Sequence, residues 1–492
     1  MSQLRLMAGE SSKRWASVWL RGMVLIMLGV VVGIIATGAG FKISLVLIGL
    51  LLISAVVFFF SPITLLAFYL IFSFIGIRPL PPIGGFHIQM QFMMVPVVAG
   101  SLVLSRKVLE PEKKQVARIG MTAIGLYILT VVVSTIINYP ATTSISALGS
   151  LGQWLGDYIV ALAILSSGVE VNPRSVIKLL TAVGIALCTI GITDFLGFTH
   201  FGISQIRHNS DRLMLMNLGP NEIGIFFAAV AVLTLAPLFI SKGTYTIGRK
   251  EILWRIAMTM YLVIGMFLTA SRETFVGFIG GLVVLILAGG VKAKVVSIIG
   301  VLSAIPMVLL GPQLPAGLLR KPFFYRELIP FHHMYGLNIP LSLSERLYFD
   351  SVALSRFANH PIFGIGFGQS LNIPSARSDG ALMFVRFAND SYLTAAAQVG
   401  IVGTVAFVGL LFASTVLLWR NVSLVRRHGA LYGEAALGLA AAFAVYLIAS
   451  IVDDGLFIWS TEIAIVMSIV FAGIFLYYYI GREIRRGGGG AS

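Results

Sequence analysis

The chain of 492 residues holds a single cysteine, Cys188, and only 11% charged residues. One thiol excludes a disulfide framework within the chain and a cysteine-based metal site. A soluble globular chain carries about 25% charged residues, so the shortage excludes a protein built from two or three soluble domains. Acidic residues are scarce, 20 against 35 Lys and Arg. No carboxylate cluster at metal-ligand spacing occurs, nor any Gly-Lys loop that would cradle a nucleotide, so an ATP-driven pump is not expected. What is present in excess is apolar surface: 58% hydrophobic residues and a mean hydropathy of +0.94. That excess excludes intrinsic disorder and points to lipid as the solvent.

A helix needs about 20 mostly apolar residues to cross the hydrocarbon core. Runs of that size centre near residues 29, 51, 70, 98, 128, 160, 187, 231, 262, 282, 303, 405, 442 and 468, which predicts fourteen spans in an all-α polytopic membrane protein. With the N-terminus inside, the gaps assigned to the cytoplasm carry 23 of the 35 Lys and Arg, as the positive-inside bias requires. The net charge of +15 is therefore a loop bias, and nucleic acid is not an expected partner. The expected organisation is a basic cytoplasmic N-terminus over 1–21, spans 1 to 11 over 22–312, a large external loop over 313–388, spans 12 to 14 over 389–480, and a cytoplasmic tail over 481–492. The apolar run 23–35 has no convincing cleavage site and reads as a retained first span. The Gly-rich 487–492 reads as an added tail.

The loop over 313–388 is the one long connection, and long loops are usually functional. Ser342 and Glu345 have the form of a capping box, and Leu343, Leu347, Leu354 and Ala358 recur at helical spacing, which predicts an amphipathic helix over the mouth of the bundle. His360 and Pro361 should end it. Gly364, Gly366 and Gly368 then permit a tight turn and close backbone approach, to a neighbouring helix or to an anion.

Arginine outnumbers lysine on the external side, ten to two, and its planar fork suits phosphate. Arg272 falls between two spans with almost no loop between them, where a charge is a functional candidate; its bland partner would be Glu273. Arg207 and Arg212 flank His208 and Asp211 in an external loop. Arg346 lies early in the loop helix, with Asp350 four residues on as a bland partner. Six of the seven histidines, His332 and His333 among them, fall on the external face, where a general base is sought.

Two stretches carry a resemblance. The helix from Arg346, followed by His360, Pro361, Ile362, Phe363, Gly364, Ile365 and Gly366, resembles the "helix, HPxxGxG" signature of the O-antigen ligase and polymerase superfamily. Asn389, Asp390, Ser391, Tyr392 and Leu393, then Gly400 and Gly403, resemble its "HNxYL, then GxxG" element. Pro220 with Asn221 and the Ser271, Arg272 break are similar too, and the likeness covers roughly residues 200–410.

The resemblance implies a metal-independent, inverting glycosyltransferase of the GT-C type without cofactor, in a bacterial inner membrane with its active site facing the periplasm. Its partners would be an undecaprenyl-pyrophosphate-linked glycan donor, a glycan acceptor, the bilayer, and a chain-length regulator as a further candidate. Arg272 with Arg207 or Arg212 would hold the diphosphate, and Arg346 with Tyr392 would bind near the sugar-phosphate junction. The family's histidine position is held here by Asn389, which cannot take a proton. Asp390 becomes the candidate catalytic base, with helix capping as its bland reading, and His332, His333, Glu273 and Glu345 are alternatives. The missing histidine favours a polymerase of lipid-linked repeat units, making O-antigen or exopolysaccharide. The first alternative is a ligase that moves the finished glycan to lipid A-core or another acceptor. A lipid-linked oligosaccharide flippase is the second, though it should carry more intramembrane charge than Asp157 and Asp194.

Overall fold

In the computed structural model, the structure describes residues 111–138, 145–167, 172–196, 219–240, 248–269, 271–288, 331–334, 337–369, 373–376, 382–385, 390–428, 432–453, 455–458 and 460–488, with isolated positions such as Tyr69 and Leu213. The expected spans near residues 29, 51, 70, 98 and 303 lie outside the described residues, apart from such isolated positions.

The architecture is helical. In chain order the elements are α1 (Pro111–Ile137), α2 (Ile145–Ser167), α3 (Pro173–Phe195), α4 (Pro220–Leu235), α5 (Arg249–Thr269), α6 (Arg272–Ala288), β1 (Phe331–Met334), β2 (Leu337–Pro340), α7 (Leu341–Asn359), β3 (Ile373–Ala376), β4 (Leu382–Val385), α8 (Ser391–His428), α9 (Gly433–Ala449), α10 (Gly455–Ile458) and α11 (Ser460–Gly488). Six described helices are long and apolar enough to cross a membrane, and three shorter apolar helices accompany them. All nine sit where the hydropathy runs place them. The 313–388 segment also contains two short antiparallel hairpins, β1 with β2 and β3 with β4, on either side of α7.

Helices α4 and α11 are buried along most of their length, while α1, α3, α5 and α8 expose much of theirs. Helix α4 is apolar on every side and lies at the centre of the bundle. Helix α6 approaches α9 through Gly277, Gly280 and Gly281, where an added Cβ would collide with Val445, Ile448 and Ala441. Close packing of this kind is what holds helices together when lipid offers no hydrophobic contrast. It also fixes the start of α6 against the end of α9, which matters below.

Basic residues gather at the opposite pole of the bundle. Arg174 at the start of α3 pairs with Glu434 at the start of α9, Nη2 to Oε1 2.6 Å. Arg426 near the end of α8 donates to the Leu287 carbonyl at the end of α6, 3.0 Å. Arg255 in the first turns of α5 pairs with Glu251. These are the ends that the charge bias assigns to one side of the membrane.

Candidate functional site

The other pole is built from helix ends. The α7 helix begins at Leu341, one residue before Ser342, so Ser342 lies inside the first turn rather than in front of it. It ends at Asn359 before His360 and Pro361, as the sequence requires, with the His360 amide donating to the Arg356 carbonyl. The expected apolar face is corrected. Leu347, Leu354 and Ala358 are exposed, and the buried face carries Phe349 and Ala353 with Val352 beside them. Spacing predicts the helix, but its apolar residues lie on more than one side, and only the neighbours decide which side is buried. Phe349 and Ala353 seat α7 on Ala388, Leu393 and Ala397 around the start of α8.

That seating aims Arg346 inward. Its Nη2 pairs with Glu273 at the start of α6, and its Nη1 donates to the Val452 carbonyl just past α9, 3.1 Å. Asp350, the bland partner by spacing, is not bonded to it. The Glu273 carboxylate is buried and also accepts from Ser271 Oγ, 3.0 Å, while Ser271 Oγ caps the Thr274 amide, 3.3 Å. Glu273 is thus committed to Arg346 and Ser271, which argues against it as the base.

One residue further along the same turn, the Asp453 carbonyl accepts from the Ser391 amide at 3.1 Å and from Ser391 Oγ at 2.7 Å. The Asp453 carboxylate accepts from Asn221 Nδ2 at the start of α4, 3.2 Å. Tyr392 is tied into this turn as well, its hydroxyl donating to the Leu447 carbonyl and accepting from Ser450 Oγ, both 3.2 Å. The 450–453 turn therefore links the N-termini of α4, α6 and α8 to Arg346. Helix N-termini carry partial positive charge, so three of them beside a guanidinium raise the potential at this pole, while the amides of Ser391, Tyr392, Leu393 and Thr274 are already taken within the chain.

Asp390 precedes α8 and caps it. Its Oδ1 accepts from the Tyr392 amide at 2.7 Å and the Leu393 amide at 2.9 Å. The other oxygen, Oδ2, makes no hydrogen bond among the described residues. Burial pushes the carboxyl above its usual range, opposed by the two backbone amides. Capping and a raised proton affinity coexist because the two oxygens divide the tasks.

The glycines of the GIGFG run settle on the packing side of the two readings left open above. Gly364, Gly366 and Gly368 all have positive φ, and so does Gly400, where α8 breaks. The amides of Ile365 and Gly366 donate to the carbonyls of Ala397 and Gln398, both 2.9 Å, and the Ile401 amide donates back to Pro361, 2.8 Å. A Cβ on Gly364 would strike the Gln398 backbone, and one on Gly400 the Ile362 backbone. The glycines of the two motifs are thus one backbone-to-backbone clasp. Ser134 of α1 reinforces it by donating to the Phe363 carbonyl at 2.5 Å or to that of Gln398 at 3.1 Å, and Phe367 anchors it among Trp154 and Phe457.

Of the residues the sequence singled out, Arg346, Glu273, Asp390 and Tyr392 come together here. The side chain of Arg272 and both Arg207 and Arg212 lie outside the described residues. His332 and His333 sit on β1, facing Ile339 and Asn338 in register, and their side chains and that of Glu345 are likewise outside them. Sequence reasoning missed Asp453, whose signal is an acidic pair, Asp453 and Asp454, between two apolar spans. It also missed Ser134 and Gln398, polar residues in otherwise apolar runs.

The fold defines a multi-pass membrane protein with a polar, Arg-bearing pole. Residues 257–408 match the O-antigen ligase family, and this match supports the O-antigen ligase/polymerase superfamily for the chain. The matched segment contains Glu273, Arg346, Asp390 and both glycine motifs. No curated protein matches the chain.

Proposed function

We propose that this protein polymerises lipid-diphosphate-linked oligosaccharide repeat units on the outer face of the membrane, by inverting glycosyl transfer. The observation that carries the reading is the hydrogen-bonded turn at 450–453, which gathers Arg346 and the starts of α4, α6 and α8 at one pole next to Asp390. An acceptor hydroxyl oxygen attacks the anomeric carbon, the carbon-oxygen bond to the diphosphate breaks, and the diphosphate leaves on its lipid. Asp390 Oδ2 takes the hydroxyl proton. Negative charge grows on the leaving group, and prepositioned cations and helix ends stabilise it without reorganising. Arg346 and Arg272, with Arg207 or Arg212, supply that positive charge, and Tyr392 shapes the sugar subsite.

Asn389 in place of the family's histidine favours polymerase over ligase. Purified protein given a lipid-linked repeat unit alone decides between them. A ladder of lengthening products is expected; no reaction until a second acceptor is supplied would replace polymerase by ligase.

A further inference from the structure

A groove of about 640 Å³ opens between α1, α8 and α11, at the pole opposite Arg346 and Asp390. Its deep end is apolar, with Ile124, Leu410 and Met467, and its outer end holds Gln115, Arg420 and Tyr477. Along α8 the lining runs from Leu410 to Leu424, about 21 Å at 1.5 Å per residue. Half of the hydrocarbon core is about 15 Å, so the groove runs from mid-membrane depth into the headgroup layer of one leaflet.

Elsewhere at this pole Arg174 is held by Glu434, Arg255 by Glu251 and Arg426 by the Leu287 carbonyl, while Arg118 and Arg482 neighbour the lining residues Ile119 and Gly481 in the chain. Arg420 is exposed, and its contact among the described residues is with the Tyr477 ring, 5.9 Å from the centroid. A cation at the mouth of an apolar slot one leaflet deep matches an acyl chain carrying a phosphate.

We infer that this groove is a binding site for an anionic phospholipid of the leaflet at this pole, with one acyl chain between α1, α8 and α11 and the phosphate at Arg420. The glycan carrier is a poor occupant, since its diphosphate belongs at the far pole.

The full-length protein, purified in mild detergent, is titrated with phosphatidylglycerol and separately with phosphatidylcholine, and retained lipid is counted by native mass spectrometry. A basic residue near an anionic surface is worth roughly a fivefold change in affinity, so Arg420→Gln should reduce the preference for phosphatidylglycerol about fivefold. Arg427→Gln, exposed at the same pole but outside the groove lining, should leave it unchanged. Ala413→Trp, which fills the slot, should displace the lipid. Equal retention of the two lipids, an equal loss in Arg427→Gln, or normal retention in Ala413→Trp would each overturn the site. So would a photo-crosslinker at position 413 that joins to this chain's own residues before 111 instead of to lipid.

Discussion

Arg346 and Glu273 join two elements that are far apart in sequence, and removing either leaves the other without its ion-pair partner. Breaking a buried pair costs about 3 to 5 kcal/mol, and with Arg346 one-third exposed the low end applies, about 3 kcal/mol. Arg346→Ala should therefore lower both abundance and activity. The double change Arg346→Ala with Glu273→Gln should restore abundance, read by fluorescence-detected size exclusion, and still make no glycan product. Recovery of activity in the double variant would reduce Arg346 to a structural role.

Asp390→Asn separates capping from basicity, because an amide oxygen caps a helix about as well as a carboxylate. Positioned general bases contribute about 10²- to 10⁴-fold, so turnover should fall by at least about 100-fold with the fold intact. The sign of the pH effect follows from the raised proton affinity of the folded carboxyl. Its contribution to stability is greatest below the unfolded value, declines as pH rises through the folded one, and is constant at neutral pH. Thermal stability of Asp390→Asn at pH 7 should consequently equal or slightly exceed that of the native chain. Native activity should be lost on acidification at a pH above the ordinary aspartate range. A native rate that stays flat down to pH 4 would remove Asp390 as the base.

At the level of elements, the clasp between the 361–368 segment and the break in α8 holds α7 on the bundle. Positive φ at Gly364 and Gly400 and backbone contact at both positions leave no room for a side chain. Gly364→Ala or Gly400→Ala should each cost about 2 kcal/mol or more, seen as a lower unfolding temperature in detergent. Phe367→Ala, which empties a buried aromatic site, should cost about 3 to 5 kcal/mol by the same measurement. An unchanged melting temperature in all three would mean the clasp is incidental. The helix α7 itself was legible in the spacing of its leucines, and its end in His360 and Pro361. Its buried face was not, because Leu347 and Leu354 satisfy the same period as Phe349 and Ala353 and only the neighbours distinguish them.

For the molecule as a whole, the two poles differ in chemistry: paired and exposed basic residues at one, and Arg346 with Glu273, Asp390 and Asp453 at the other. Cys188 is fully buried, so introduced thiols report against a quiet background. Ser355→Cys on the exposed side of α7 should react with an impermeant maleimide in intact cells, and Arg427→Cys only after the membrane is opened. The reverse labelling would put the proposed glycan chemistry on the wrong side of the membrane.

Hydropathy alone determined that this is a polytopic helical protein and where nine of its described helices lie. These properties depend on a local quantity, the transfer of about 20 side chains into hydrocarbon. The tertiary structure decided that Glu273 serves Arg346, that Asp390 divides its two oxygens between a cap and an open site, and that the glycine motifs clasp each other. The ion pair spans 73 residues of sequence and the glycine clasp joins two separate segments, and nothing in a local pattern of apolar and polar residues encodes which distant backbone a glycine must admit.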